Sequence, residues 1–159
     1  DKVLFMKRIL VLVTLMLCVP AFFFAAAATH TAEAALSARQ KSITITAADP
    51  AAKVRTFKIV LLCDTPESRT KGLQGFRQLK KNEAALFVFD RPQIATFWMA
   101  SVTFPIDIIF VGPDRTVMRV YQGCKPGSRD LYRSGKPAKW VIETAAGSGI
   151  KAGERIEIR

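Results

Sequence analysis

The sequence predicts a mostly-β single domain, a β-sandwich or a barrel-like fold with one short helix. Three observations predict it. Short runs of β-branched and aromatic residues recur at close spacing through residues 54–158, each bounded by Gly, Pro, Asp or Ser. A single helix-start signature, Asp64-Thr65-Pro66-Glu67, stands among them. Half of the 159 residues are hydrophobic and 23% are charged, which can fill one core and excludes a globally disordered chain.

In chain order, the alternating segment Ser42-Ile43-Thr44-Ile45-Thr46 predicts an edge strand, and residues 54–63 (VRTFKIVLLC) predict a central one. Asp64 or Thr65 can then cap a helix, with Pro66 suited to its first turn and Glu67 to its dipole, ending near Gly72. Residues 85–89 (ALFVF) predict a strand stopped by Asp90-Arg91-Pro92, and residues 94–99 another. Residues 106–111 (IDIIFV) follow, bounded by Pro105 and by Gly112-Pro113-Asp114. Residues 116–121 alternate as a half-buried strand does. A long basic loop spans 123–138, and strands at 139–144 and 155–158 close the fold.

Ahead of these elements, Lys7 and Arg8 precede the uncharged run Ile9–Ala28, and Ala32-Glu33-Ala34 offers small residues for cleavage. That order predicts a secretory signal peptide over residues 1–34, starting at Met6, then an arm over 35–53 and a domain over 54–159. The alternative is an uncleaved anchor, for which about 20 apolar residues suffice. Pro20 and the alanine-rich end favour cleavage, and Leu17 before Cys18 disfavours lipidation. The expected location is periplasmic or secreted. The chain carries 24 Lys and Arg against 13 Asp and Glu, a net +11. In an exported protein such a charge belongs to a merely solvated basic surface or, as the functional alternative, meets an anionic envelope component or an acidic small molecule, and not nucleic acid. Contact with the membrane is expected only through the signal or an uncleaved anchor.

The sole histidine, His30, lies ahead of the domain. The body therefore lacks the imidazole that Ser-His-Asp and Cys-His nucleophile pairs require, and the usual ligand of zinc, copper and non-haem iron. No GxGxxG or P-loop pattern is present. No metal and no cofactor are expected. Cys63 and Cys124 follow the signal segment, and an exported domain permits them to pair as a disulfide or to remain as two thiols. Without a CxxC, a thioredoxin-like role is not expected.

The pieces Gly72-Leu73-Gln74-Gly75, Leu86-Phe87-Val88-Phe89, Phe97-Trp98-Met99, Pro105–Phe110, Val141-Ile142-Glu143, Ala146-Gly147 and Gly153 occur in this order. Together they resemble the domain of unknown function family 192, over nearly all of residues 54–158. The resemblance implies a small, mostly-β domain, often exported, and no reaction. Three departures stand out. Ala100-Ser101-Val102 occupies the place where the family usually has Lys, Asn and Thr. Phe76 stands where it has an arginine, with Arg77 next to it, and Ala84-Ala85 stands where it has Gly-Met.

Asp107 and Glu143 are carboxylates in apolar strands. Each can be an acid, a base or a ligand acceptor, or else a buried acceptor of backbone N–H groups or the partner of an arginine. Strand alternation turns Trp98 away from Phe97 and Met99, so Trp98, Met99, Arg77 and Asp107 form a candidate ligand-binding group, with plain core packing as the alternative. Lys125, Arg129, Arg133, Lys136 and Lys139 form a candidate anion-binding loop, or simply a solvated one. The functional reading is a binding or accessory module of the cell envelope. One alternative is a metal-independent hydrolase or lyase using Asp107 and Glu143, with Arg77 stabilising charge. Another is a basic protein docking on anionic envelope surfaces.

Overall fold

The structure, a computed structural model, describes residues 42–46 and 54–159; the expected signal segment and most of the arm lie outside the described residues. Among the described residues the strands are β1 (Ser42–Thr46), β2 (Arg55–Cys63), β3 (Glu83–Gln93), β4 (Thr96–Phe97), β5 (Ile106–Val111), β6 (Val117–Cys124), β7 (Tyr132–Arg133), β8 (Ala138–Ala145) and β9 (Arg155–Ile158), and the one helix is α1 (Pro66–Lys71). Seven strands form one sheet in the order β6-β5-β8-β3-β2-β1-β9, and β4 pairs with β7 beside it. Only β2 and β3 run parallel, because α1 and the following loop carry the chain across between them.

The sheet curls into a half-barrel, so the fold is mostly β and barrel-like. Its two edges meet at one end. Val117 N–H donates to the Glu154 carbonyl at 2.8 Å, Gly153 N–H donates to the Val117 carbonyl at 2.8 Å, and Thr116 bridges Arg155. This contact covers main-chain groups that an open edge would leave available to another strand.

The central strands are buried on both faces, which explains why β5 is an unbroken buried run of six residues. Alternation along them divides the interior in two. Ile43, Phe57, Leu86, Ile109, Ile142 and Ile156 pack on the concave face. Phe87, Ile108, Phe110 and Val141 face outward and are covered by Leu73, Met99, Val102 and Phe104 from the connecting segments. Edge-to-face rings bind that cover to the sheet: Phe87 to Phe97 at 4.9 Å, Phe97 to Phe110 at 5.8 Å, Phe110 to Tyr121 at 6.0 Å and Tyr121 to Tyr132 at 5.2 Å.

Most expected elements stand within a few residues of their expected bounds; four details differ. β1, expected at an edge, lies between β2 and β9, because the C-terminal strand pairs along its other side. β3 continues to Gln93, because Asp90-Arg91-Pro92 forms a bulge between the Val88–Trp140 and Gln93–Ala138 pairs instead of a stop. The strand expected at 94–99 shrinks to Thr96–Phe97. The loop expected at 123–138 contains β7, its partner.

Candidate functional site

A cleft of about 400 Å³ opens on the outer face of the sheet, between α1 and its following loop on one side and residues 93–102 on the other. The helix side is set by its cap. Thr65 Oγ1 accepts from Ser68 N–H at 3.2 Å, and Ser68 Oγ accepts from Thr65 N–H at 3.0 Å. Arg69 Nη1 then donates to the carbonyls of Asp64 at 2.8 Å and Val88 at 2.7 Å, which lays the guanidinium 5.3 Å over the Phe89 ring. Gly72 ends the helix at φ +48°, with ideal Cβ space only 3.3 Å from Phe87 Cζ, so the chain grazes the aromatic wall there.

The opposite side is held by main-chain bonds to the basic loop. Ala95 N–H donates to Ser134 Oγ at 3.0 Å, Met99 N–H donates to the Ser128 carbonyl at 3.1 Å, and Gly127 N–H reaches the carbonyls of Met99 and Val102, each at 3.0 Å. Trp98 stands on this rim 57% exposed, while Met99 beneath it is fully buried in the core. The alternation expected for 97–99 is present.

Glu143 lies on the floor. It pairs in register with Ala85 of β3 and Ile108 of β5, among outward-facing apolar residues, and is 3% exposed. Its Oε2 is buried without a hydrogen-bond partner. Desolvation alone pushes its carboxyl up to about 8, so the group is largely protonated at neutral pH. A neutral carboxyl can both donate and accept a hydrogen bond, and a ligand's polar group in the cleft would supply what the protein does not.

Asp107 has the opposite circumstances. It pairs with Thr144, one residue on from Glu143, and therefore faces the concave side. Its Oδ1 accepts from Gly123 N–H at 2.8 Å, and its Oδ2 accepts from Ser148 N–H at 2.8 Å and Ser148 Oγ–H at 2.7 Å. These bonds make it a buried clamp between the β6 end and the 146–150 turn. The expected pairing of Asp107 with Glu143 in one catalytic cleft is corrected: the sheet itself stands between the two carboxyl groups. Arg77 is exposed and lines no part of the cleft, and Met99 is core. Of the four expected ligand-binding residues, the cleft contains Trp98.

Cys63 and Cys124 are both buried and unpaired, which corrects the disulfide. They belong to β2 and β6, and three strands lie between these in the sheet. At about 4.8 Å per strand that separation far exceeds the roughly 7 Å limit between bridged Cα atoms. Burial pushes the thiols up, to about 12 for Cys63 and about 11 for Cys124, so neither is a ready nucleophile.

Lys125, Arg129, Arg133 and Lys136 are exposed, and none lines the cleft. Lys139 does not belong with them: it lies in β8, and its ammonium donates to the carbonyls of Phe89 at 2.7 Å and Asp90 at 3.0 Å, closing the β3 bulge. The loop is no loose tether, since Ser128 Oγ–H donates to Asp130 at 2.7 Å and the main-chain bonds above fasten it to the cleft rim.

The protein family DUF192, described as Uncharacterized ACR, matches residues 45–158. The chain belongs to DUF192. Among solved structures, a Novosphingobium aromaticivorans protein of unknown function is 32% identical, with a TM-score of 0.68, covering 73% of this chain and 83% of its own. A Sinorhizobium meliloti protein described as a proposed transcription regulator is 24% identical, with a TM-score of 0.69, covering 74% of this chain and 92% of its own. No match was found among curated proteins. In this DUF192 domain some of the departures noted in the sequence lie at the cleft, while Ala84 packs in the concave core and Arg77 is exposed away from it. Ser101 and Val102 line it, Ala85 lies opposite Glu143 in the sheet, and Phe76 packs on the outer core behind Gly72. The sequence reading missed Arg69 and Lys71 as cleft residues, because only the crossover between β2 and β3 brings α1 to the side of the cleft above Glu143.

Proposed function

We propose that this DUF192 domain is a small-molecule binding module of the cell envelope, with the cleft above Glu143 as its binding site. One observation carries the reading. A carboxyl with a partnerless oxygen, buried on the floor of an aromatic-walled cleft, is costly to folding unless something else repays it. A ligand that completes its hydrogen bonds is the simplest such return. The cleft has the size, near the lower end of roughly 300–1,000 Å³, and the mixture of apolar walls and few polar groups that ligand sites show. Export rests on the charge and hydropathy order of residues 1–34. The likeness to the S. meliloti protein, at 24% identity, is one of fold alone.

Thermal shift tests this reading: the full chain is screened against envelope sugars, anionic metabolites and lipid headgroups. A ligand of the folded state raises the melting temperature, by RT ln(1 + [L]/Kd) in free energy. The expected result is a shift that disappears in Trp98→Ala, whose side chain is too exposed to matter much for folding. A shift unaffected by Trp98→Ala would sink the cleft as the site.

The exposed cations of the 125–136 loop favour a second reading, docking on an anionic envelope surface. Binding to anionic vesicles that weakens with salt and with neutralisation of Lys125, Arg129, Arg133 and Lys136 would support it.

A further inference from the structure

The charged groups of the cleft are unevenly placed. Arg69 and Lys71 stand on its α1 side, the walls are Phe87, Phe89 and Phe97, and Glu143 is the single acidic residue, at the bottom. Arg69 is held rigidly through Nη1 alone, and no hydrogen bond among the described residues uses its Nη2. The cleft thus presents fixed positive charge at the mouth, an aromatic middle and a buried carboxyl at the end. We propose that it takes a small ring-bearing monoanion, with its carboxylate at Arg69 and Lys71, its ring between the aromatic walls and Trp98, and an amide or carbonyl group bonded by Glu143.

The inference rests on the cleft being the binding site. The chemistry selects each part. Arg69 and Lys71 offer N–H donors and positive charge to a carboxylate. The aromatic walls and the exposed Trp98 face suit a flat ring. Glu143 offers an O–H donor and a carbonyl acceptor, which matches a primary amide on both counts. Protonation makes the site conditional. Once Glu143 ionises it no longer donates, and its charge opposes that of the ligand. The groups around it are Cys63 from β2 and Arg69 and Lys71 from α1; β3, β5 and residues 93–102 contribute no titratable side chain to the cleft.

Calorimetry on the full chain tests this with three probes: 4-carbamoylbenzoate, terephthalamide, which lacks the anion, and benzoate, which lacks the amide. At pH 6.5, 4-carbamoylbenzoate is expected to bind at least about tenfold more tightly than either of the others, since each has lost one charge-assisted or buried hydrogen bond. Raising the pH to 9 should weaken it by about tenfold, as the protonated fraction of Glu143 falls. Glu143→Gln, whose amide still donates, should bind and lose the pH dependence. Equal affinity for terephthalamide, or an affinity unchanged to pH 9 in the native protein, overturns the inference. If no probe binds while the thermal-shift screen still yields a Trp98-dependent ligand, this inference fails and the cleft survives as the site. If neither method detects binding at the cleft, both fail.

Discussion

Glu143 and Asp107 stand one register step apart on neighbouring strands, yet their surroundings are opposite. Asp107 is buried with three hydrogen bonds to its two oxygens, while Glu143 is buried with an oxygen that has none. Burial raises the folded-state value of Glu143 from 4.5 to about 8. Between those values the folded chain holds a proton that the unfolded chain has released, so stability falls as the pH rises. The contribution is fully present below about 4.5 and lost by about 8. Urea unfolding should therefore show the native protein losing about 4 kcal/mol relative to Glu143→Gln between pH 4.5 and 8. Parallel pH profiles would show that Glu143 is not buried as described. Both carboxylates were visible in the sequence as acids in apolar strands. Which had partners was not, because Gly123 and Ser148 are 16 and 41 residues from Asp107 along the chain.

At the level of elements, local patterns placed the strands because each carries its own alternation or apolar run. The patterns failed where pairing decided the outcome. Pro92 reads as a stop, yet β3 resumes after a bulge because Gln93 finds Ala138. Tyr132 and Arg133 read as loop, yet β4 gives them a partner. The short helix was legible through its cap, and its terminus has a tertiary role as well: Gly72 lets the chain turn at positive φ against Phe87. Gly72→Ala must strain that backbone and press on the ring, at a cost of about 1–3 kcal/mol. Thermal unfolding should show the loss, and the same variant should weaken cleft ligands by moving the aromatic wall.

On the scale of the whole molecule, the half-barrel is latched where its edges meet. Arg55 of β2 bonds the carboxylate of Glu154, just before β9, and the Gly149 carbonyl at 2.5 Å. Glu154 is 5% exposed, so removing its partner leaves a nearly buried charge alone. Arg55→Met is expected to destabilise by about 3–5 kcal/mol in chemical denaturation, and adding Glu154→Leu should recover much of the loss. If the single variant costs no more than an exposed ion pair, under about 1 kcal/mol, the latch is not a buried one.

By itself the sequence determined the fold class, the approximate strands and helix, the family and the absence of histidine chemistry in the domain. Each of these is carried by residue type, by periodicity over a few positions, or by an ordered set of motifs. Tertiary structure alone decided which carboxylate was satisfied, that Cys63 and Cys124 stand too many strands apart to join, and that α1 faces Trp98 across Glu143. Those outcomes depend on strand order and on the face each side chain takes. A one-residue difference in register reverses the face, and no local pattern records the order in which distant strands come together.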